Sequence, residues 1–95
     1  MDFRKYVFVV TNDAMFQDCQ YLEVLGAFTS YDKALEKVNL LFDEFLEECK
    51  KEVYSEFPLD GIRTSKREYQ DGCEYTITSL DEYYNSYVIS KVELE

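Results

Sequence analysis

Along residues 31–53, apolar side chains recur at steps of four and three: Tyr31, Leu35, Val38, Phe42, Phe45 and Cys49. Ala34, Leu41, Leu46 and Val53 widen the stripe. A segment with this period presents one apolar face and must bury it against another element. The spacing predicts an amphipathic helix of about 24 residues, about 36 Å long at ~1.5 Å per residue. Thr29-Ser30-Tyr31-Asp32 marks its start. Thr29 and Asp32 have capping-box spacing, and Asp32 suits the positive end of the helix dipole. The 4-3 stepping also fits a helix–helix seam, but core packing on a sheet is the simpler reading.

The flanking segments supply that sheet. Residues 3–10 (FRKYVFVV) are rich in β-branched and aromatic types. The continuous apolar run at 6–10 predicts a central strand covered on both faces. Thr11-Asn12-Asp13 reads as a turn, followed by a loose segment to Asp18. Residues 20–28 (QYLEVLGAF) form a second strand. Alternation puts Leu22, Val24 and Phe28 on one face with Gly26, and Tyr21, Glu23, Leu25 and Ala27 on the other. Gly26 marks either a close approach or a bulge. After the helix, Pro58 and Asp60-Gly61 break the pattern within residues 55–64, where Phe57, Leu59 and Ile62 are expected to fold back over the helix end.

Residues 65–70 (SKREYQ) and 73–79 (CEYTITS) flank Asp71-Gly72, a two-residue hairpin signal. That turn would set Gln70 opposite Cys73, Glu68 opposite Tyr75 and Lys66 opposite Ile77. The first of these strands is too polar for a central position and suits an edge. Residues 80–86 (LDEYYNS) read as a connection and 87–94 (YVISKVEL) as the last strand. The expected fold is a single α+β domain over residues 1–95, in two layers. One long amphipathic helix lies on an antiparallel sheet of four to five strands, in the order β-β-α-β-β-β. The first and last strands are the most apolar and are the candidates for the sheet centre.

Chemistry is bounded by what the chain lacks. It has 95 residues and no His, which excludes His-based acid–base, Ser-His or Cys-His catalysis and His metal sites. Cys19, Cys49 and Cys73 are odd in number and widely spaced, without a Cys-x-x-Cys pair. They read as reduced small apolar residues rather than a disulfide framework or zinc site. Gly26, Gly61 and Gly72 stand too far apart for a phosphate-binding loop. The apolar run at 6–10 is too short for a signal-peptide core, and no stretch approaches the ~20 residues of a membrane span. The expectation is a cytoplasmic, non-enzymatic protein with no cofactor, no metal and no membrane partner.

Charge points further. Asp and Glu number 20 against 10 Lys and Arg, a net charge of −10. Direct binding to nucleic acid needs the opposite sign. Between residues 68 and 87 there are five acids (Glu68, Asp71, Glu74, Asp81, Glu82) and five tyrosines (Tyr69, Tyr75, Tyr83, Tyr84, Tyr87), with no Lys or Arg. Clustered carboxylates repel one another, and tyrosines supply rigid contact area for recognition. Glu68, Tyr69, Asp71, Glu74, Asp81, Glu82, Tyr83 and Tyr84 are therefore the expected docking face for a basic protein surface. Asp43, Glu44, Glu47 and Glu48 form a second acidic face on the helix, at i,i+4 spacing.

The stretch from Tyr6 to Lys37 carries Val-Phe-Val-Val, then Leu-Gly-Ala-Phe, then Thr-Ser-Tyr-Asp-Lys-Ala. It resembles small bacterial and phage proteins that open with a strand pair and a Phe-Ser/Thr-Ser helix start. In size, acidity and tyrosine content the chain is also similar to phage anti-defence proteins that mimic DNA, anti-CRISPR inhibitors among them. That similarity implies a protein that blocks a basic groove on a nucleic-acid-handling target in a host cytoplasm. The alternative is a small oligomerising or regulatory module, such as a homodimer, whose acidity serves solubility.

Overall fold

In the computed structural model, residues 5–16, 19–50, 62–79 and 83–94 are described. They build β1 (Lys5–Phe16), β2 (Cys19–Phe28), α1 (Tyr31–Lys50), β3 (Arg63–Glu68), β4 (Cys73–Ser79) and β5 (Tyr83–Leu94). The strands form one antiparallel sheet in the order β2-β1-β5-β4-β3, and α1 packs on it as a second layer. The last strand takes the centre, flanked by β1 and β4, and the polar β3 forms one edge.

The helical stripe is core. Ala34, Val38, Phe42, Phe45 and Cys49 are buried against Val10, Cys73, Tyr75, Ile77, Tyr87 and Ile89, and Leu35, Leu41 and Leu46 pack at the margin. The register aligns Val10 with Ile89 and Ile89 with Cys73, so one row of alternate residues across three strands faces the helix. Phe42 meets Tyr75 edge-on at 5.8 Å between ring centroids, and Tyr31 meets Phe8 at 5.7 Å. Ile62 reaches the core margin as expected, while Val53, Phe57 and Leu59 lie outside the described residues.

Several boundaries differ from the sequence reading. The described helix, Tyr31–Lys50, has 20 residues against the 24 expected, and residues 51–53 of the expected span lie outside the described residues. Its N-cap is Ser30 rather than Thr29, because the Ser30 carbonyl accepts the first helical bond, from the Ala34 N–H at 3.1 Å. Asp32 still lies in the first turn, where the dipole favours it.

Strand β1 runs on through the expected turn at Thr11-Asn12-Asp13 and pairs on both sides, with β2 and with β5. Its polar side chains find partners there. Asn12 donates through Nδ2 to Asn85 Oδ1 and to the Ser86 carbonyl, the latter at 3.0 Å. Asn85 Nδ2 in turn donates to the Tyr87 hydroxyl at 2.9 Å, and the Thr76 and Ser86 hydroxyls bond at 2.8 Å. Residues 83–86, read as a connection, therefore belong to β5. A buried amide is tolerated in a strand once its donors and acceptors are met.

The 70–73 hairpin is shifted. Tyr69 N–H donates to the Gly72 carbonyl at 2.8 Å, so Gln70 and Asp71 are the central turn residues. Glu68 pairs with Cys73 and Lys66 with Tyr75, instead of Glu68 with Tyr75 and Lys66 with Ile77. The slip is two residues and leaves every side chain on its expected face.

Strand β2 departs more. Val10 pairs with Gly26 but Thr11 pairs with Val24, so Leu25 is an extra residue on β2. The bulge turns Leu25 to the core margin beside Phe28 and moves Leu22 and Val24 off Phe28's face onto the side away from the helix. The expected continuous alternation through 22, 24, 26 and 28 fails for that reason. Among the described residues, that outer face carries no second layer, so Val7 and Val9 are only half-buried rather than covered on both sides.

Candidate functional site

The described members of the acid- and tyrosine-rich stretch do not share one face. Tyr75 and Tyr87 are core residues. Tyr75 donates its hydroxyl to Glu68 Oε1 at 2.9 Å, which engages Glu68 at the rim of the helix-facing row. Burial, and then that bond to Glu68, push the Tyr75 hydroxyl up to about 12. Burial likewise raises Tyr31, whose hydroxyl donates to the Gly72 carbonyl at 3.2 Å. Tyr69 and Asp71 are exposed at the hairpin. Asp71 Oδ1 lies 3.5 Å from Lys91 Nζ, and that ammonium sits 4.1 Å above the Tyr6 ring centroid.

Glu74 points to the other face of the sheet, directly across from Arg67 in the β3–β4 register. Tyr84 sits opposite Thr78, at the far end of β4 from the hairpin. Its hydroxyl donates to Asp13 Oδ1 at 3.4 Å and accepts from Gln20 Nε2 at 3.5 Å. Lost hydration and the Asp13 charge raise its pKa. Asp81, Glu82 and the Tyr83 side chain lie outside the described residues.

The run is base-free in sequence only. Pairing brings Lys66, Arg67 and Lys91 in from other strands. Lys66 lies over the core margin, with Nζ 4.9 Å from the Phe42 centroid and 5.0 Å from that of Tyr75. Its aliphatic stem lets a polar edge strand close a hydrophobic core.

The helix acids form the contiguous group. Asp43, Glu44 and Glu47 are exposed and Glu48 is half-exposed on the solvent side of α1. They border a shallow depression whose apolar floor is Leu40, 54% exposed. Lys33 and Lys37 lie one to two turns earlier, around a second depression with Phe28, Glu36 and Leu40. From residue 38 to residue 49 the helix holds no Lys or Arg. Sequence spacing was enough to find this group, because α1 keeps the regular period that puts i and i+4 together.

Cys49 and Cys73 are buried and Cys19 is exposed, all three as free thiols. Burial, with the neighbouring Glu48 charge, pushes the Cys49 thiol up to about 11, and burial raises Cys73 as well. Such thiols are poor nucleophiles at neutral pH. Among the described residues, no three Cys, Asp or Glu side chains converge as a metal-holding group. No described helix is long and apolar enough to cross a membrane. No protein-family model, no curated protein and no solved structure matches the chain.

Proposed function

We propose that the protein is a non-enzymatic acidic binding module that docks its helix on a basic protein surface. There it stands in for nucleic acid, as an anti-CRISPR-like or other anti-defence inhibitor of a nucleic-acid-handling target would. The observation that carries this reading is the grouping of Asp43, Glu44, Glu47 and Glu48 beside exposed Leu40, with no base on that part of the helix. Asp43 to Glu48 spans five helical rises, ~7.5 Å, so the four charges stand on average ~2.5 Å apart along the axis. Duplex DNA carries one charge per ~1.7 Å. A groove built for phosphates meets a linear density here between that of one strand, one charge per ~3.4 Å, and that of the duplex, and Leu40 offers the apolar contact that phosphates lack. The 68–84 group supports the reading less, because Lys91 and Arg67 stand beside Asp71 and Glu74.

The test is competition. A panel of purified basic nucleic-acid-binding proteins is loaded with labelled duplex DNA and titrated with this protein. At least one should release its DNA, with an affinity that falls steeply as salt rises. Reversing Asp43, Glu44, Glu47 and Glu48 to Lys should abolish the release while the circular dichroism spectrum stays unchanged. Reversing Asp71 and Glu74 should do less. A helix-reversed variant that competes as well as the parent would refute the reading.

A further inference from the structure

Strand β3 carries no apolar side chain. Its sequence is Arg-Thr-Ser-Lys-Arg-Glu, and all six residues are exposed. Among the described elements its backbone pairs with β4 alone. Strand β4 is fixed from its other side: it pairs with β5 over its whole length, and Cys73, Tyr75 and Ile77 are core residues. Three side-chain ties cross from this body to β3. The Tyr75 hydroxyl donates to Glu68 Oε1 at 2.9 Å, and the Thr78 hydroxyl donates to the Arg63 carbonyl at 3.5 Å. Lys66 Nζ lies 4.9 Å from the ring centroid of Phe42 and 5.0 Å from that of Tyr75, so this tie reaches the helix as well. Both ends of the strand are tethered. Ile62 packs at the core margin, and the Tyr69 N–H closes the hairpin on Gly72.

Ordering six residues costs conformational entropy, and water can replace the ladder bonds they gain. Apolar burial by β3 itself does not offset that cost. A segment of this kind belongs to the low-stability end of a fold. We infer that β3 is a detachable strap, which peels from β4 while the rest of the domain stays folded, with Lys66 as its clasp. The tethers at Ile62 and at the hairpin keep the freed strap beside its seat, so it recloses. Opening lifts Lys66 from Phe42 and Tyr75, takes Arg67 away from Glu74, and bares the edge of β4 to another strand.

The register tells which amides report the opening. Tyr69 and Gly72 form a hydrogen-bonded pair, and such pairs alternate along an antiparallel ladder. Arg67–Glu74, Ser65–Thr76 and Arg63–Thr78 are then the hydrogen-bonded pairs of β3 and β4. The N–H groups of Glu74 and Thr76 therefore point to β3, and those of Tyr75 and Ile77 to β5. Successive amides of one strand should report two different openings.

The experiment is native-state amide hydrogen exchange by NMR on the intact protein, over urea concentrations below the unfolding transition. After correction for intrinsic rates, Glu74 and Thr76 should exchange at least about tenfold faster than Tyr75 and Ile77. Their urea dependence should be weaker, because strap opening exposes little surface. Val38→Ala loosens the core away from the strap, so it should speed Tyr75 and Ile77 about tenfold and leave Glu74 and Thr76 unchanged. Lys66→Ala should speed Glu74 and Thr76 roughly three- to tenfold. Arg63→Ala removes the same charge from the same strand without a ring beneath it, and should speed them less than about twofold. In a Cys19→Ser background, Arg63→Cys with Thr78→Cys locks the end away from the hairpin, because facing Cα atoms ~5.5 Å apart suit a disulfide. Oxidation should slow Glu74 and Thr76 to the rates of Tyr75 and Ile77, and reduction should restore the difference. Equal rates and urea slopes for the two sets in the parent protein overturn the strap, since β3 then leaves only with the whole fold. Fast exchange that persists at Glu74 and Thr76 in the oxidised lock overturns it too, as does a Val38→Ala effect that reaches them in full. A Lys66→Ala effect no larger than that of Arg63→Ala refutes the clasp.

Discussion

Replacing Gly72 by Ala tests the structure at a point where it and the sequence give different reasons for one residue. In an Asp-Gly hairpin turn the glycine supplies a positive φ. Here Gly72 follows the two central residues, and its φ is not in the left-handed region. A Cβ added to Gly72 would instead lie 2.4 Å from the Ile89 backbone carbonyl oxygen, 1.0 Å short of the 3.4 Å at which ordinary contact begins. The obstacle is main chain, so no rotamer relieves it. Strand β4 must move away from β5 beside the Cys73–Ile89 pair, at the edge of the core.

Overpacking of this kind costs ~1–3 kcal/mol. Displacing the Gly72 carbonyl from the Tyr31 hydroxyl adds ~0.5–1.5 kcal/mol. The expected loss is about 2–4 kcal/mol out of the ~5–15 kcal/mol that holds a domain. In urea, with m of ~1–3 kcal/mol/M, the midpoint should fall by roughly 1–2 M with the slope unchanged. Gly72→Asn decides the cause. Asn tolerates the left-handed conformation, so it would rescue a turn that merely needed positive φ. It carries the same Cβ into the Ile89 carbonyl, so it should be at least as costly as Ala. A Gly72→Asn variant near parental stability would refute the close-approach account and restore the Asp71-Gly72 turn.

Phe42 is 3% exposed, packs edge-on against Tyr75 and lies under Lys66. Phe42→Ala should cost about 3–5 kcal/mol in the same urea titration, and a cost under ~1 kcal/mol would remove it from the core. Stability should also fall in alkali. The Cys49 thiol is raised from 9.0 in the free group to about 11 in the fold. Below pH 9 both states hold the proton. Above it the unfolded chain loses the proton first, so stability declines between pH 9 and about 11 and the term is lost above. Cys49→Ala should flatten that part of the pH–stability curve, and an unchanged slope would show that the thiol does not carry it.

The features legible in the linear chain are those with a local cause. Period and capping residues place α1, because side chains four apart meet on any α-helix whatever surrounds it. The same regularity makes Asp43, Glu44, Glu47 and Glu48 a group before any tertiary contact forms. β-Branched runs mark β1 and the later half of β5, and charge marks β3 as an edge.

The rest depends on partners distant in sequence. Asn12 and Asn85 look like turn and linker residues until their amides meet across two strands 73 residues apart. Gly72 looks like a turn residue until Ile89 comes beside it. The acidic run at 68–87 looks base-free until Lys91 and Arg67 are brought in by pairing. The bulge at Leu25 decides that Leu22 and Val24 face outward, and no alternation rule sees it, since one inserted residue reverses the parity of everything beyond it. Helical period is set within one turn of chain, whereas sheet register is a contract between strands and is settled only when they meet.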